Sequence, residues 1–212
     1  NLHDVNAYWY DGHCYPCGMA DKYAPKPPFT YSDWSRVPTQ LDEKNQQAIY
    51  KLLENATRAA GMVHGPVKGD FILSETGTLY VIEIAPRFHG PVGTIISFPV
   101  VYGLKPMELY LAAVKGSEPK FINWNATINN LVETRSINLE PGKLTKLSGL
   151  DEVSNRECVL LVNSKLKIGD QITARTNNNN AHIRITYYGK NHDDLERNWK
   201  EIVADLEIKV QA

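Results

Sequence analysis

Asp70, Glu83 and Arg87 are the residues of this chain whose types and spacing best suit chemistry. They lie in Gly69-Asp-Phe-Ile-Leu-Ser-Glu-Thr-Gly-Thr-Leu-Tyr-Val-Ile-Glu-Ile-Ala-Pro-Arg87, where two apolar runs, Val67 to Leu73 and Leu79 to Ile84, flank Ser74 to Thr78. That pattern predicts a β-hairpin. A turn between Thr76 and Gly77 sets Asp70 directly opposite Glu83, with Cβ atoms roughly 4.5–5.5 Å apart. Phe71, Ile72, Leu73, Leu79, Val81, Ile82 and Ile84 fill both faces, as in strands buried on both sides, so the two acids are expected in apolar surroundings. Facing like charges destabilise a sheet and a buried unpaired carboxylate is costly, so a compensating cation is expected. Magnesium suits the pair, because it takes oxygen ligands, usually one or two carboxylates plus substrate phosphates. Arg87 falls on the face of Glu83 if the strand continues past Pro86, and its planar fork matches phosphate or acyl-phosphate oxygens. The alternative is an internal Glu83–Arg87 ion pair with Asp70 at an exposed edge.

Other residues carry weaker signals. Lys68, with His64, precedes Asp70 on the way to the same sheet; it either neutralises substrate or phosphate charge or faces solvent. His89 follows Arg87 in His89-Gly-Pro-Val-Gly93. Cys14-Tyr-Pro-Cys17 has the spacing of a redox pair or half a zinc site, but it sits inside a predicted strand and no second ligand pair is apparent. Arg184 and Lys190 read as solvated charges on a sheet.

The rest of the chain must position these groups. With 212 residues, 42% hydrophobic and 22% charged, it has the composition of a soluble globular protein of one large domain, or of one domain and an appendage. Lys and Arg total 23 against 24 for Asp and Glu, so no nucleic acid or anionic membrane is expected as partner, and an anion must meet locally placed charge. An odd count of three cysteines implies no disulfide framework and suggests a reducing, cytoplasmic setting. In that setting the sequons at Asn55 and Asn125 are coincidences. No apolar run reaches the roughly 18 residues of a membrane span. The opening at Asn1, directly into strand-like sequence, reads as a fragment missing its N-terminal portion.

Val5 to Tyr10 and Cys14 to Ala20 flank Asp11-Gly12, a strong hairpin signal. Ala24 to Pro38 is a proline-punctuated connector. A helix is predicted over Leu41 to Ala60, opened by Thr39-x-x-Asp42 and stopped by Gly61, its stripe of Ile49, Leu52, Leu53, Ala56, Ala59 and Ala60 covering a sheet. A second spans Gly103 to Gly116, with Pro106 in its first turn and Leu109, Tyr110, Ala113 and Val114 on one face. Asn123 to Asn130 marks a boundary. Beyond it come short strands, Leu131 to Asn138, Gly142 to Leu147, Glu157 to Asn163 and His182 to Tyr188, with Asn177 to Asn180 as a loop. An amphipathic helix from Asp193 to Leu206 closes the chain. The expected fold class is α+β, an antiparallel sheet with packed helices over 1–130 and a small β-rich unit over 131–212.

Glu83-Ile-Ala-Pro-Arg87, with Asp70 upstream in Gly-Pro-Val-Lys-Gly-Asp, resembles the metal-binding strand pair of the ATP-grasp superfamily. His3 to Lys22 looks like that family's central strands. The Leu41–Ala60 helix leading into Gly61-x-x-x-Gly-Pro66 has its order, and Gly149 to Leu206 is similar to the appendage of amino-acid-ligase and carbamoyl-phosphate-synthase-like members. The resemblance implies ATP and Mg2+ (or Mn2+) as cofactors, Asp70 and Glu83 as metal ligands, Arg87 as the catalytic group, and Lys68 and His89 on the cofactor and substrate side. It implies small-molecule carboxylate and nucleophile substrates and leaves room for a homo-oligomer. Two departures stand out. Asp70 replaces the usual Glu or Gln, and Ala85 stands where many members carry Asn as a further ligand, which puts a second metal in question. The glycine-rich phosphate loop and nucleotide-clamping lysines of the family's N-terminal half are absent from this sequence, so the isolated chain is expected to be inactive. The rival reading is a non-catalytic, partner-binding or regulatory module.

Overall fold

The structure, a computed structural model, describes residues 2–25, 31–117, 128, 130–178 and 180–212. Two compact units emerge, residues 1–22 with 36–129 and residues 23–35 with 130–212. The expected boundary at Asn123–Asn130 lies outside the described residues except for Ile128 and Asn130, as does the core of the proline-rich connector. The architecture is α+β, with antiparallel sheets and packed helices.

In the first unit, β1 (Leu2–Tyr10) and β2 (His13–Tyr23) form the hairpin expected at Asp11-Gly12. Both turn residues have positive φ, 46° and 78°, the signature of the turn that matches strand twist. A short β3 (Trp34–Val37) follows, within what the sequence suggested was only a connector. Helix α1 spans Glu43–Ala59. Its cap is Asp42, whose side chain accepts the Asn45 N–H at 2.8 Å. Thr39 is not the cap, as the sequence suggested; its hydroxyl bonds Asp21 instead. Then come β4 (Gly65–Leu73) and β5 (Leu79–Ala85), giving the order β5-β4-β1-β2 in this unit.

One face of that sheet is apolar. Val5, Ala7, Met19, Val67 and Phe71 pack against Ile49 and Leu53 of α1, so the front of the expected helix stripe covers a sheet, whereas Ala59 and Ala60 at its end are exposed and Thr57 is buried instead. Strand alternation sends Asp4, Asn6, Lys68 and Asp70 to the other face. Over that face runs a π-helical segment, Val92–Ser97, continuing as α2 (Phe98–Tyr102), neither anticipated from sequence. Phe98 lies so close over Gly18 that a Cβ there would come within 2.5 Å of its ring, so only glycine fits. Helix α3 covers Pro106–Val114; Leu109 is buried but Tyr110 and Val114 are exposed, so its predicted apolar face is covered only in part.

The second unit contains β6 (Leu131–Ile137), β7 (Gly142–Ser148), α4 (Leu150–Ser154), β8 (Val159–Ser164), β9 (Gln171–Ile172), β10 (Ile183–Gly189), α5 (His192–Ala204) and β11 (Glu207–Gln211). Strands β6, β10 and β8 are neighbours with β10 central, whereas β7 belongs to a separate sheet ordered β11-β7-β9. Ile183, Ile185 and Tyr187 bury against Leu195 and Ile202 of α5, the helix capped by Asn191. Among the described residues no helix is long and apolar enough to cross a membrane.

Candidate functional site

Three acids stand in register across three strands of the first sheet. Asp4 of β1 pairs with Asp70 of β4, and Asp70 pairs with Glu83 of β5. The predicted Asp70–Glu83 pairing is therefore present, although the register shifts immediately after it, so that Phe71 faces Val81 and Ile82 is the extra residue of a bulge. Two lysines interleave with the acids. Lys22 Nζ lies 3.1 Å from Asp4 Oδ2 and 3.6 Å from Asp70 Oδ1, and Lys68 Nζ lies 3.0 Å from Asp70 Oδ2 and 3.1 Å from Glu83 Oε1. At the far end His89 Nδ1 pairs with Asp4 Oδ2. The result is a row of alternating charge: His89, Asp4, Lys22, Asp70, Lys68, Glu83.

The surroundings differ from those the sequence suggested. β5 is an edge strand, with Tyr80, Val81 and Ile82 exposed, so the acids are not enclosed in apolar side chains. Asp4 is the deeply buried acid, at 0% exposure, while the Glu83 side chain is 53% exposed. Burial of Asp4 opposes its ionisation, but the His89 contact and the charges of His89, Lys22 and Lys68 outweigh that and hold its pKa at about 2. Lys68 does not face solvent. Burial works against its charge, yet Asp4, Asp70 and Glu83 raise its pKa above the usual value.

Arg87 falls beyond the end of β5, where Pro86 has broken the ladder; its N–H donates to Ala85 O at 2.8 Å. Its guanidinium is exposed and Nη1 donates to the Phe88 carbonyl at 3.0 Å. Among the described residues it makes no ion pair, and Glu83 is held by Lys68, so the internal Glu83–Arg87 pair is absent. The N–H of His89 donates to Asn6 Oδ1 at 2.7 Å and its carbonyl accepts from the Thr94 hydroxyl in the π-helical segment. Such segments recur at functional sites. Asp4 and Asn6 were missed by sequence reasoning; the available signal was the polar set His3, Asp4 and Asn6 at the start of a strand that ends in Ala-Tyr-Trp-Tyr.

Does this set fit a divalent cation? Asp70 Oδ1 is buried and accepts no hydrogen bond, with Lys22 as its ion-pair neighbour at 3.6 Å, and Glu83 lies opposite it. Two carboxylates plus nucleotide oxygens suffice for one magnesium. Lys68 competes for the same two acids, and the methyl of Ala85 supplies no further donor. Among the described residues no three His, Cys, Asp or Glu side chains converge as a metal cluster, so the fit is to one ion completed by phosphate. Cys14 and Cys17 both lie on β2; burial pushes each thiol up to about 12, the reverse of what a reactive cysteine needs.

No family model matches this chain, and no curated protein matches it. Solved structures do. An L-amino acid ligase from Bacillus licheniformis superposes with a TM-score of 0.82 at 23% identity, over 100% of this chain and 54% of its own. A phosphoribosylglycinamide synthetase from Anaerococcus prevotii gives 0.79 at 15%, over 99% and 53%. A biotin carboxylase from Campylobacter jejuni, solved as a β-γ-ATP complex, gives 0.64 at 15%, over 99% and 46%. The chain spans about half the length of each. At these identities the likeness shows the fold alone, one that this chain shares with those three enzymes.

Proposed function

We propose that this chain forms the metal- and phosphate-holding side of an ATP-dependent ligase site. In the reaction so inferred, a substrate carboxylate oxygen attacks the γ-phosphorus of ATP and ADP departs. An amine or similar nucleophile then attacks the acyl carbon, and the C–O bond to phosphate breaks. Asp70 and Glu83 would hold one Mg2+, which when bound offsets the charge of the phosphates. Arg87, exposed and without an acid partner among the described residues, donates its fork to the transferring group. Lys68 adds positive charge beside the phosphates once the acids turn to the metal. His89, anchored by Asp4 and Asn6, lies on the substrate side. The observation that carries this reading is the in-register Asp70–Glu83 pair, with one buried oxygen that accepts no hydrogen bond, on a fold shared with an L-amino acid ligase. A cytoplasmic location and a homo-oligomeric state belong to the same proposal.

A second reading, a non-catalytic partner-binding or regulatory module, is favoured by two features: Lys68 already neutralises both acids, and Ala85 removes a donor. Manganese titration of the full-length protein with nucleotide, followed by water-proton relaxation, separates the two. The ligase reading expects Glu83→Ala to weaken manganese binding by on the order of tenfold or more. Equal binding by the variant would remove the metal assignment.

A further inference from the structure

Arg184 does not behave as the solvated charge that sequence suggested. It lies on β10 opposite Asn163 of β8 and Ser136 of β6, so the three share one face of that sheet, the face away from the Ile183, Ile185 and Tyr187 core. Its Nε is buried with no hydrogen-bond partner, and so is Ser136 Oγ. Burial lowers its pKa, and among the described residues no carboxylate forms an ion pair with it. Arg184 is half-buried, and an inner guanidinium nitrogen left without an acceptor is costly, so a structure that keeps one usually has a use for it.

Arg184 lines a cavity of about 560 Å3 within the second unit, of the size that holds metabolites. Lys165, Asn163 and Gln171 share the lining. The one acid among the described lining residues, Asp170, is engaged by the Lys167 N–H at 2.8 Å. His182, also in the lining, is fixed as a neutral ring: Nδ1 accepts from the Leu139 N–H, so Nε2 must carry the proton it gives to the Thr173 carbonyl. Arg175 cannot serve as a counter-ion; it is a second buried cation, already bound to Asp33, Asn138 and the Ser32 carbonyl.

We propose that this cavity is an anion-binding site, in which Arg184 and Lys165 receive the phosphate or carboxylate group of a small metabolite. The guanidinium supplies the donors and Asn163 an amide beside them; the remaining volume accommodates an organic body. The site is independent of the ligase reading, since every residue in it belongs to the second unit and none is used above.

The test is a titration of the 15N-labelled full chain with inorganic phosphate and, separately, with succinate, following the Arg184 Nε–H resonance assigned by its loss in Arg184→Lys. The expected result is a saturable downfield shift of that resonance with one of the two probes, identifying the acidic group preferred, and its weakening in Lys165→Met. Thermal melts supply the second measurement. In anion-free buffer Arg184→Met should melt no lower than the parent, and it should lose whatever rise the preferred probe gives the parent. Absence of a saturable shift with both probes in folded protein overturns the proposal. So does an Arg184→Met variant that melts several degrees lower with an unchanged probe response, because Arg184 would then be a scaffold residue.

Discussion

On the first sheet Asp4, Lys22, Asp70, Lys68 and Glu83 alternate in sign, each within 3.6 Å of an opposite charge; on β10 Arg184 has no such neighbour among the described residues. Both regions carry their polar groups on the sheet face opposite the main helix, and both leave a buried atom unsatisfied, Asp70 Oδ1 in one and Arg184 Nε in the other. The difference lies in what the unsatisfied atom wants. In the first region the charges are balanced within the chain, so an incoming cation must displace Lys68, and binding competes with an internal partner. In the second nothing is displaced. The first arrangement stabilises the fold and tempers affinity; the second leaves stability on offer to a ligand.

Removing Lys68 should break the comparison most sharply. Lys68→Met leaves Asp70, Glu83 and Asp4 with one cation fewer at a buried position, and losing one partner of a buried pair costs about 3 kcal/mol or more. Urea unfolding should show a loss of that order. A loss under about 1 kcal/mol, the worth of a surface pair, would mean that the row of charges is decoration.

Next in size is Arg87. Because it has no ion pair to lose among the described residues, Arg87→Lys should leave the melting temperature unchanged while, on the proposed ligase reading, lowering kcat of the full-length protein by on the order of 10²-fold. A lower melting temperature with retained turnover per folded molecule would reverse that assignment. The smallest effect concerns Asp4. Its folded pKa of about 2 lies below the ordinary 3.8, so its stabilising contribution is complete above about pH 4 and is lost as pH falls through about 2. That contribution amounts to about 2 kcal/mol by linkage. The difference in stability between the parent and Asp4→Asn should therefore shrink across that acid window; a difference independent of pH would show that Asp4 is not held ionised by its neighbours.

Much of the first region could be read in the sequence. Asp11-Gly12 fixed one hairpin and helix periodicity placed α1 to within about two residues; counting back from the turn misplaced Phe71 to Leu73 by one residue, and the Asp70–Glu83 pairing is met because the bulge at Ile82 makes up that residue. What escaped depended on partners far along the chain. Asp4 becomes a site residue only because β1 lies beside β4, some sixty residues on, and no local pattern announces that. Lys68 looked optional because a lysine two before an acid on a strand is an ordinary surface pattern; the register of β5 makes it the bridge. The exposure of β5 was missed because Val81 and Ile82 are apolar, and strand position in a sheet, not residue type, decides which strand is the edge. Arg184 has the same explanation, since its cavity is assembled from β8, β10 and the segment between them.

The bulged edge strand β5 has a consequence for handling the protein. Its outer row of backbone donors and acceptors faces no neighbouring strand among those described, and Tyr80, Val81 and Ile82 flank that row with open apolar surface. A second molecule meeting this border could continue the ladder, so concentrated solutions should first lose colloidal stability here, by edge-to-edge growth. The bulge at Ile82 disturbs the row and Glu83 adds charge beside it, two devices that slow such growth. Shelf life and crystallisation behaviour would then be set by three side chains on the strand that carries Glu83, and by how densely the molecules are kept.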